Sequence, residues 1–137
     1  MVRKIIFGIL FSVWIVILVL LSVWPTANSF IQQDISEFHW DYLEHFILYF
    51  IVGFLYIFWR INKDLSLSLT ELIIFIAAGV IFSWLTEYIQ VYIPGRALNI
   101  YDMISNMAGI ISGSLISYFL IIRIFLKNWL SRNSGLN

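Results

Sequence analysis

The sequence predicts an all-α, polytopic membrane protein, a four-transmembrane-helix bundle with both termini in the cytoplasm. Of its 137 residues, 61% are hydrophobic and only 12% are charged, whereas a soluble domain is about half apolar and a quarter charged. A single small domain cannot hide so much apolar surface in its own core, because its surface is large relative to its volume. Four long apolar runs and a one-sided distribution of Lys and Arg complete the evidence.

The first predicted span, Ile5–Trp24, contains 20 residues and no charged side chain. A helix of that length crosses a hydrocarbon layer of about 30 Å, since each residue adds about 1.5 Å. Arg3 and Lys4 precede the run, as basic residues precede the apolar stretch of a signal peptide. However, the run is longer than is typical of a signal peptide, and no clear cleavage site follows it. We therefore predict an uncleaved span.

The other predicted spans are Tyr42–Trp59, Leu72–Ile93 and Met103–Ile122. Pro94 and Gly95 break the chain between the third and the fourth. Lipid cannot hydrogen-bond to open backbone groups, so all four spans are expected to be helical. Residues 1–137 are accordingly predicted to form one membrane domain.

The basic residues predict the orientation of the spans. Seven Lys and Arg residues flank one face of the predicted bundle and one, Arg96, flanks the other. Basic residues in short flanking segments are enriched on the cytoplasmic side. Both termini are thus predicted to be cytoplasmic, and the loops around residues 25–41 and 94–102 to be extracytoplasmic.

Polar side chains gather at the predicted outer ends of the last three spans. Exposing an ionisable side chain to hydrocarbon costs at least about 2.5–3.5 kcal/mol, so these groups are expected to face protein or a polar cavity. The sequence therefore predicts an outward-facing, ligand-binding pocket. Its candidate residues are Asp41, His45, Glu87, Gln90, Arg96, Asp102 and Asn106.

Two of these side chains are candidates for acid–base chemistry. Asp41 precedes His45 by four residues, so its carboxylate can set the imidazole tautomer. His45 is then either a satisfied interfacial residue, a proton carrier or a ligand for a headgroup. Glu87 either holds the bundle together, through Arg96 or Asn106, or faces the pocket as a general base.

The remaining candidates also leave alternatives open. Asp102 either caps the fourth helix, where a helix N-terminus favours negative charge, or pairs with Arg96. The guanidinium of Arg96 could instead bind a phosphate or carboxylate in a bidentate manner. The glycines favour close helix packing, the alternative being that they leave room for a ligand beside Asn106; they are Gly53, Gly109 and Gly113.

The sequence predicts no metal site and no cofactor. Cysteine is absent, and no pair of ligand residues has a diagnostic spacing. A hard or borderline cation held by His45, Glu87 and Asp102 is the minor alternative. The net charge of zero gives no reason to expect nucleic-acid binding.

The order of these motifs resembles that of the VanZ-like family. The resemblance covers residues 41–113 and rests on Asp41-x-x-x-His45-x-x-x-Tyr49-x-x-x-Gly53, Glu87-x-x-Gln90, Gly95-Arg96, and Asp102-x-x-x-Asn106-x-x-Gly109-x-x-x-Gly113. One departure is Tyr42, where the family commonly has a lysine after the aspartate. The resemblance implies a multi-pass protein of the bacterial cytoplasmic (inner) membrane. The family is named for a protein linked to low-level teicoplanin resistance, and the resemblance supplies no substrate.

Three functions are compatible with this pattern. The favoured one is binding of an amphiphile headgroup from an envelope lipid, a lipid-linked wall precursor or a lipoglycopeptide. The first alternative is an enzyme acting on a lipid-linked substrate, with His45 or Glu87 as the base. The second is a small structural subunit that packs against a membrane protein partner or against further copies of itself.

Overall fold

The computed structural model describes residues 2–24, 40–61, 67–94 and 96–134, except for the side chains of residues 125, 126 and 128–134. Within these ranges the chain forms four helices and no strand, as predicted. The helices are α1 (Val2–Val23), α2 (Trp40–Arg60), α3 (Leu69–Gln90) and α4 (Ile100–Ser134). Each contains a segment long and apolar enough to cross a membrane. The orientation in the membrane stays a prediction.

The helix bounds differ from the predicted spans, most clearly at the C-terminal ends of α3 and α4. α3 stops at Gln90, and the next three residues form turns in which each N–H donates to the carbonyl three residues earlier. Pro94 accounts for the early stop, since the residue before a proline avoids the helical conformation. α4 does not end near Ile122 but continues to Ser134. Its apolar, membrane-compatible part ends at Ile124, and the rest is more polar.

α2 and α4 form the most extensive helix pair of the bundle. A Cβ added at Gly109 would collide with the backbone carbonyl of Phe46, and one added at Gly113 with that of Phe50. On α2, a Cβ at Gly53 would lie 2.7 Å from the backbone nitrogen of Ser114. These glycines therefore sit where two backbones touch, as small residues do between packed membrane helices. The space opposite them is filled by protein, so it does not accommodate a ligand beside Asn106.

α1 and α3 complete the bundle around two apolar clusters. One cluster is built on Leu18, Tyr49, Val52 and Ile110, and the other on Ile57, Ile61, Leu72 and Ile121. Leu18 is the only buried residue of α1, so this helix lies at the periphery.

The two ends of the bundle differ in their chemistry. At one end, Arg60 of α2 pairs with Glu71 of α3, and Arg3 donates to the carbonyl of Ile61. At the other end, called the polar end below, α1 and α3 finish and α2 and α4 begin. Exposed aromatic side chains surround the polar end, as expected at a membrane interface; they include Trp24, Trp40, Tyr88, Tyr92 and Tyr101.

Candidate functional site

His45 lies at the centre of the polar end and joins α2 to α4. Its Nδ1 is 3.0 Å from Oδ1 of Asn106, a residue that is almost fully buried. Its Nε2 faces two carboxylates, Asp41 at 3.7 Å and Asp102 at 3.8 Å. Asp41 therefore lies near His45, but at 3.7 Å it does not form the expected hydrogen bond that would set the tautomer; Asn106 makes the hydrogen bond to the ring, and Asp102 approaches it from α4.

Glu87 is completely buried near the end of α3. Its Oε1 accepts a hydrogen bond from the backbone N–H of Asn99 at 3.1 Å, which ties α3 to the start of α4. The sequence-based expectation of a bond to Arg96 or to Asn106 is therefore wrong. The cause is local: the turn after α3 brings a free backbone donor to the carboxylate, and such a bond satisfies one of its oxygens. Its other oxygen, Oε2, is buried without a hydrogen-bond partner among the described residues.

Arg96 is held by α1 instead of by an acidic side chain. Its Nε donates to the carbonyl of Trp24 at 3.1 Å, and its Nη2 to that of Leu21 at 3.2 Å. The last carbonyls of a helix have no partner within the helix and attract cations. Within the described ranges, Arg96 makes no ion pair with a carboxylate.

A cavity of about 170 Å³ opens beside these side chains. Part of its wall is apolar, with leucines from α1 and α2, and part is polar, with groups from α2, α3 and the turn before α4. A cavity with both surfaces suits a ligand that has an apolar body and a polar head. Its lining consists of Leu18, Leu21, Ser22, Trp24, Asp41, Glu44, His45, Leu48, Tyr49, Gln90 and Arg96.

A sequence model of the VanZ/LLP1 family matches residues 5–123, most of the chain. The chain belongs to the VanZ/LLP1 family. The resemblance noted in the sequence is thus confirmed, and the match extends to α1, which the motif pattern did not include. No significant match was found to a curated protein or to a solved structure.

The motifs of this VanZ/LLP1 protein divide between two adjoining features of the polar end. Asp41, His45, Gln90 and Arg96 line the cavity. Three buried side chains lie next to this lining. Asn106 and Asp102 of α4 face His45, and Glu87 of α3 accepts from the backbone N–H of Asn99, just before α4.

Some residues of the site were not predicted from the sequence. Leu18 and Leu21 of α1 and Trp24, which follows that helix, belong to a predominantly apolar run that carries no periodic pattern to single them out. Asn99 could have been predicted to cap the fourth helix, because Asn is a preferred residue immediately before a helix. Its side chain accepts from the N–H of Tyr101 at 3.0 Å, so Asn99 caps α4, and Asp102 lies in the first turn of that helix.

Buried hydroxyl groups complete the connection between α2 and α3. The Tyr49 hydroxyl is hydrogen-bonded to Thr86, and both residues are buried. Tyr49 also lines the cavity, so this bond holds that part of the cavity lining against α3. Thr86 was not predicted as a site residue, because a lone threonine in an apolar helix is more often bonded to its own backbone.

Proposed function

We propose that this VanZ/LLP1 protein binds the anionic headgroup of a membrane amphiphile in the cavity at its polar end. The observation that supports the proposal is the environment of the Arg96 side chain. Its guanidinium lines the cavity, and the acceptors described for it are neutral backbone carbonyls. A positive charge whose described hydrogen bonds go to neutral groups, at the end of a membrane helix, favours an anion.

The rest of the wall supports an amphiphile over a small soluble anion. Leu18, Leu21 and Leu48 give the cavity an apolar side, on which an acyl or prenyl chain can lie. Gln90 adds a neutral hydrogen-bonding group beside Arg96. A phosphate-bearing envelope lipid or a lipid-linked wall precursor has this combination of head and tail. By the distribution of basic residues, the polar end would face the outside of a bacterial cytoplasmic membrane.

Native mass spectrometry of the purified protein, titrated with phosphatidylglycerol, tests the proposal. We expect Arg96→Gln to weaken binding about tenfold or more, since a hydrogen bond to a charged group contributes about 1.5–3 kcal/mol. The matched control is Arg60→Gln, which removes the same charge at the opposite end and should leave the affinity unchanged. Arg96→Lys, which keeps the charge, should bind more tightly than Arg96→Gln.

Equal loss of affinity in the Arg96 and Arg60 variants would overturn the proposal, because it would show that lipid binds to the protein without using the cavity. A parallel titration with teicoplanin tests the lipoglycopeptide as the occupant. Binding of teicoplanin that depends on Arg96, with no such dependence for phosphatidylglycerol, would assign the cavity to the antibiotic and contradict the lipid assignment.

A further inference from the structure

Three potential metal ligands from two helices converge at the polar end. They are carboxylate oxygens of Asp41 and Asp102 and the Nε2 atom of His45, and all lie within 4.8 Å of one another. Asp102 and His45 are largely shielded from solvent, whereas Asp41 is about half exposed. The arrangement combines a nearly buried imidazole with carboxylates from both sides of the α2–α4 contact.

Asn106 determines which nitrogen of His45 faces the carboxylates as an acceptor. Its Oδ1 lies 3.0 Å from Nδ1 and can only accept, so Nδ1 carries a proton. In a neutral imidazole, Nε2 then presents its lone pair to Asp41 and Asp102. An amide or carboxylate oxygen behind the ring is the usual support of a metal-binding histidine, because it fixes both the tautomer and the ring orientation.

The distances favour a metal ion over a proton between these groups. An N–H···O hydrogen bond spans about 2.7–3.2 Å, but Nε2 is 3.7 and 3.8 Å from the two carboxylates. Two ligands that are each about 2.1 Å from a zinc ion lie about 3.4 Å apart at the tetrahedral angle. The two Nε2–carboxylate distances are therefore within a few tenths of an ångström of those in a metal site, and the full set of three ligand atoms, which lie within 4.8 Å of one another, would contract around a bound ion.

A buried carboxylate on a third helix lies near the cluster. Glu87, from α3, is fully buried, and its Oε2 has no described hydrogen-bond partner. Its carboxylate interacts electrostatically with Asp102, His45 and Arg96, so it contributes to the same local field. The described hydrogen bonds of Arg96 go to the carbonyls of Leu21 and Trp24.

We propose that Asp41, His45 and Asp102 bind one divalent transition-metal ion, such as Zn²⁺, and that Asn106 and Glu87 support the site without ligating the metal. One nitrogen and two oxygen ligands suit a borderline cation, and the half-exposed side of Asp41 leaves a coordination position for water. The ligand set differs from the minor alternative considered for the sequence, because Asp41 replaces Glu87. The site shares Asp41 and His45 with the cavity but does not depend on the proposed headgroup binding.

Titration of the chelator-treated protein with Zn²⁺ alone, without added lipid, tests this site. We expect one equivalent to bind per chain and to raise the unfolding temperature. His45→Gln and Asp102→Asn should each lower the affinity at least tenfold. Asn106→Leu removes only a supporting group, and losses at such positions are typically about 10–100-fold. The matched control is Glu71→Gln, which neutralises a carboxylate at the opposite end of the bundle and should leave the Zn²⁺ affinity unchanged.

Histidine nitrogen NMR of the unmodified protein gives a readout that needs no destabilising variant. Zn²⁺ should shift the Nε2 resonance of His45 and leave Nδ1 protonated; His39→Gln assigns the signals. Absence of stoichiometric binding would overturn the metal site, as would an Nε2 resonance that Zn²⁺ does not move. Since no lipid is present, either result would leave the proposed headgroup binding to its own test.

Discussion

Asn106 is the residue on which the polar end most depends. It is almost fully buried, and its amide oxygen fixes the ring of His45 across the α2–α4 contact. A buried polar group that loses its partner costs about 1–3 kcal/mol, because it gives up hydration without gaining a hydrogen bond. The interaction therefore matters to stability irrespective of any ligand.

We predict that Asn106→Leu lowers the free energy of unfolding by about 1–3 kcal/mol, because it leaves Nδ1–H of His45 without its acceptor. Thermal unfolding in detergent at constant pH measures the change. Ser112→Ala is the control, since the Ser112 hydroxyl bonds only to carbonyls of its own helix. A variant as stable as the control would show that the Asn106–His45 bond contributes nothing to folding.

At the residue scale, the sequence predicted which side chains gather but not which atoms they bind. Asp41 and His45 could be paired from their spacing within one helix. The partners of Glu87 and Arg96 could not be predicted in this way, because they are backbone groups of Asn99 and of the C-terminal end of α1. Backbone donors and acceptors are present at every residue, so no residue type marks the ones that turns and helix ends leave available.

Among the elements, the α2–α4 contact gives the polar end its geometry. Gly109 and Gly113 bring the α4 backbone against the carbonyls of Phe46 and Phe50. That close approach places the start of α4 next to the first turns of α2, where the ligand residues of the two helices meet. The small-residue spacing predicted close packing against another helix, because such packing depends on local side-chain size, but it did not predict that α2 is the partner of α4.

We predict that Gly113→Ala destabilises the bundle by about 1–3 kcal/mol, since the added methyl group meets the Phe50 backbone carbonyl, which cannot move aside as a flexible side chain could. The change in unfolding temperature measures the effect. The control is Ala108→Leu, an enlargement at an exposed position of the same helix. If Gly113→Ala were neutral, the two helices would have to be packed less tightly than described.

Helix ends were less predictable than helix contacts. The early stop of α3 follows from Pro94, but its exact position depends on the turn that delivers the Asn99 N–H to Glu87. The continuation of α4 beyond Ile122 has a different reason. An apolar run marks where a helix leaves lipid, and nothing requires the helix itself to end there.

For the molecule as a whole, labelling of single cysteines can show which end of the bundle faces outward. The chain contains no cysteine, so a single introduced thiol reports its own location. Leu98 is exposed at the polar end, and Ser68 is exposed at the opposite end. The two positions therefore distinguish the possible orientations.

We predict that a membrane-impermeant maleimide labels Leu98→Cys in intact bacterial cells and labels Ser68→Cys only after lysis. The reason is the seven-to-one distribution of basic residues, which retains the Ser68 end in the cytoplasm. The cysteine-free parent chain controls for background labelling. The reverse pattern would place the cavity and the proposed metal site inside the cell.

The position of α1 has a consequence for how the cavity exchanges its contents. This helix supplies Leu18, Leu21 and Trp24 to the wall, yet Leu18 is its only buried residue. Near the cavity, two sets of described hydrogen bonds join this segment to the rest of the bundle. Arg96 donates to the carbonyls of Leu21 and Trp24, and the Trp14 indole donates to the carbonyl of Leu48. Displacing this part of α1 sideways would therefore uncover a single buried side chain of that helix, Leu18. For the proposed ligand, such a displacement would open a path from the bilayer to the cavity that does not pass through water.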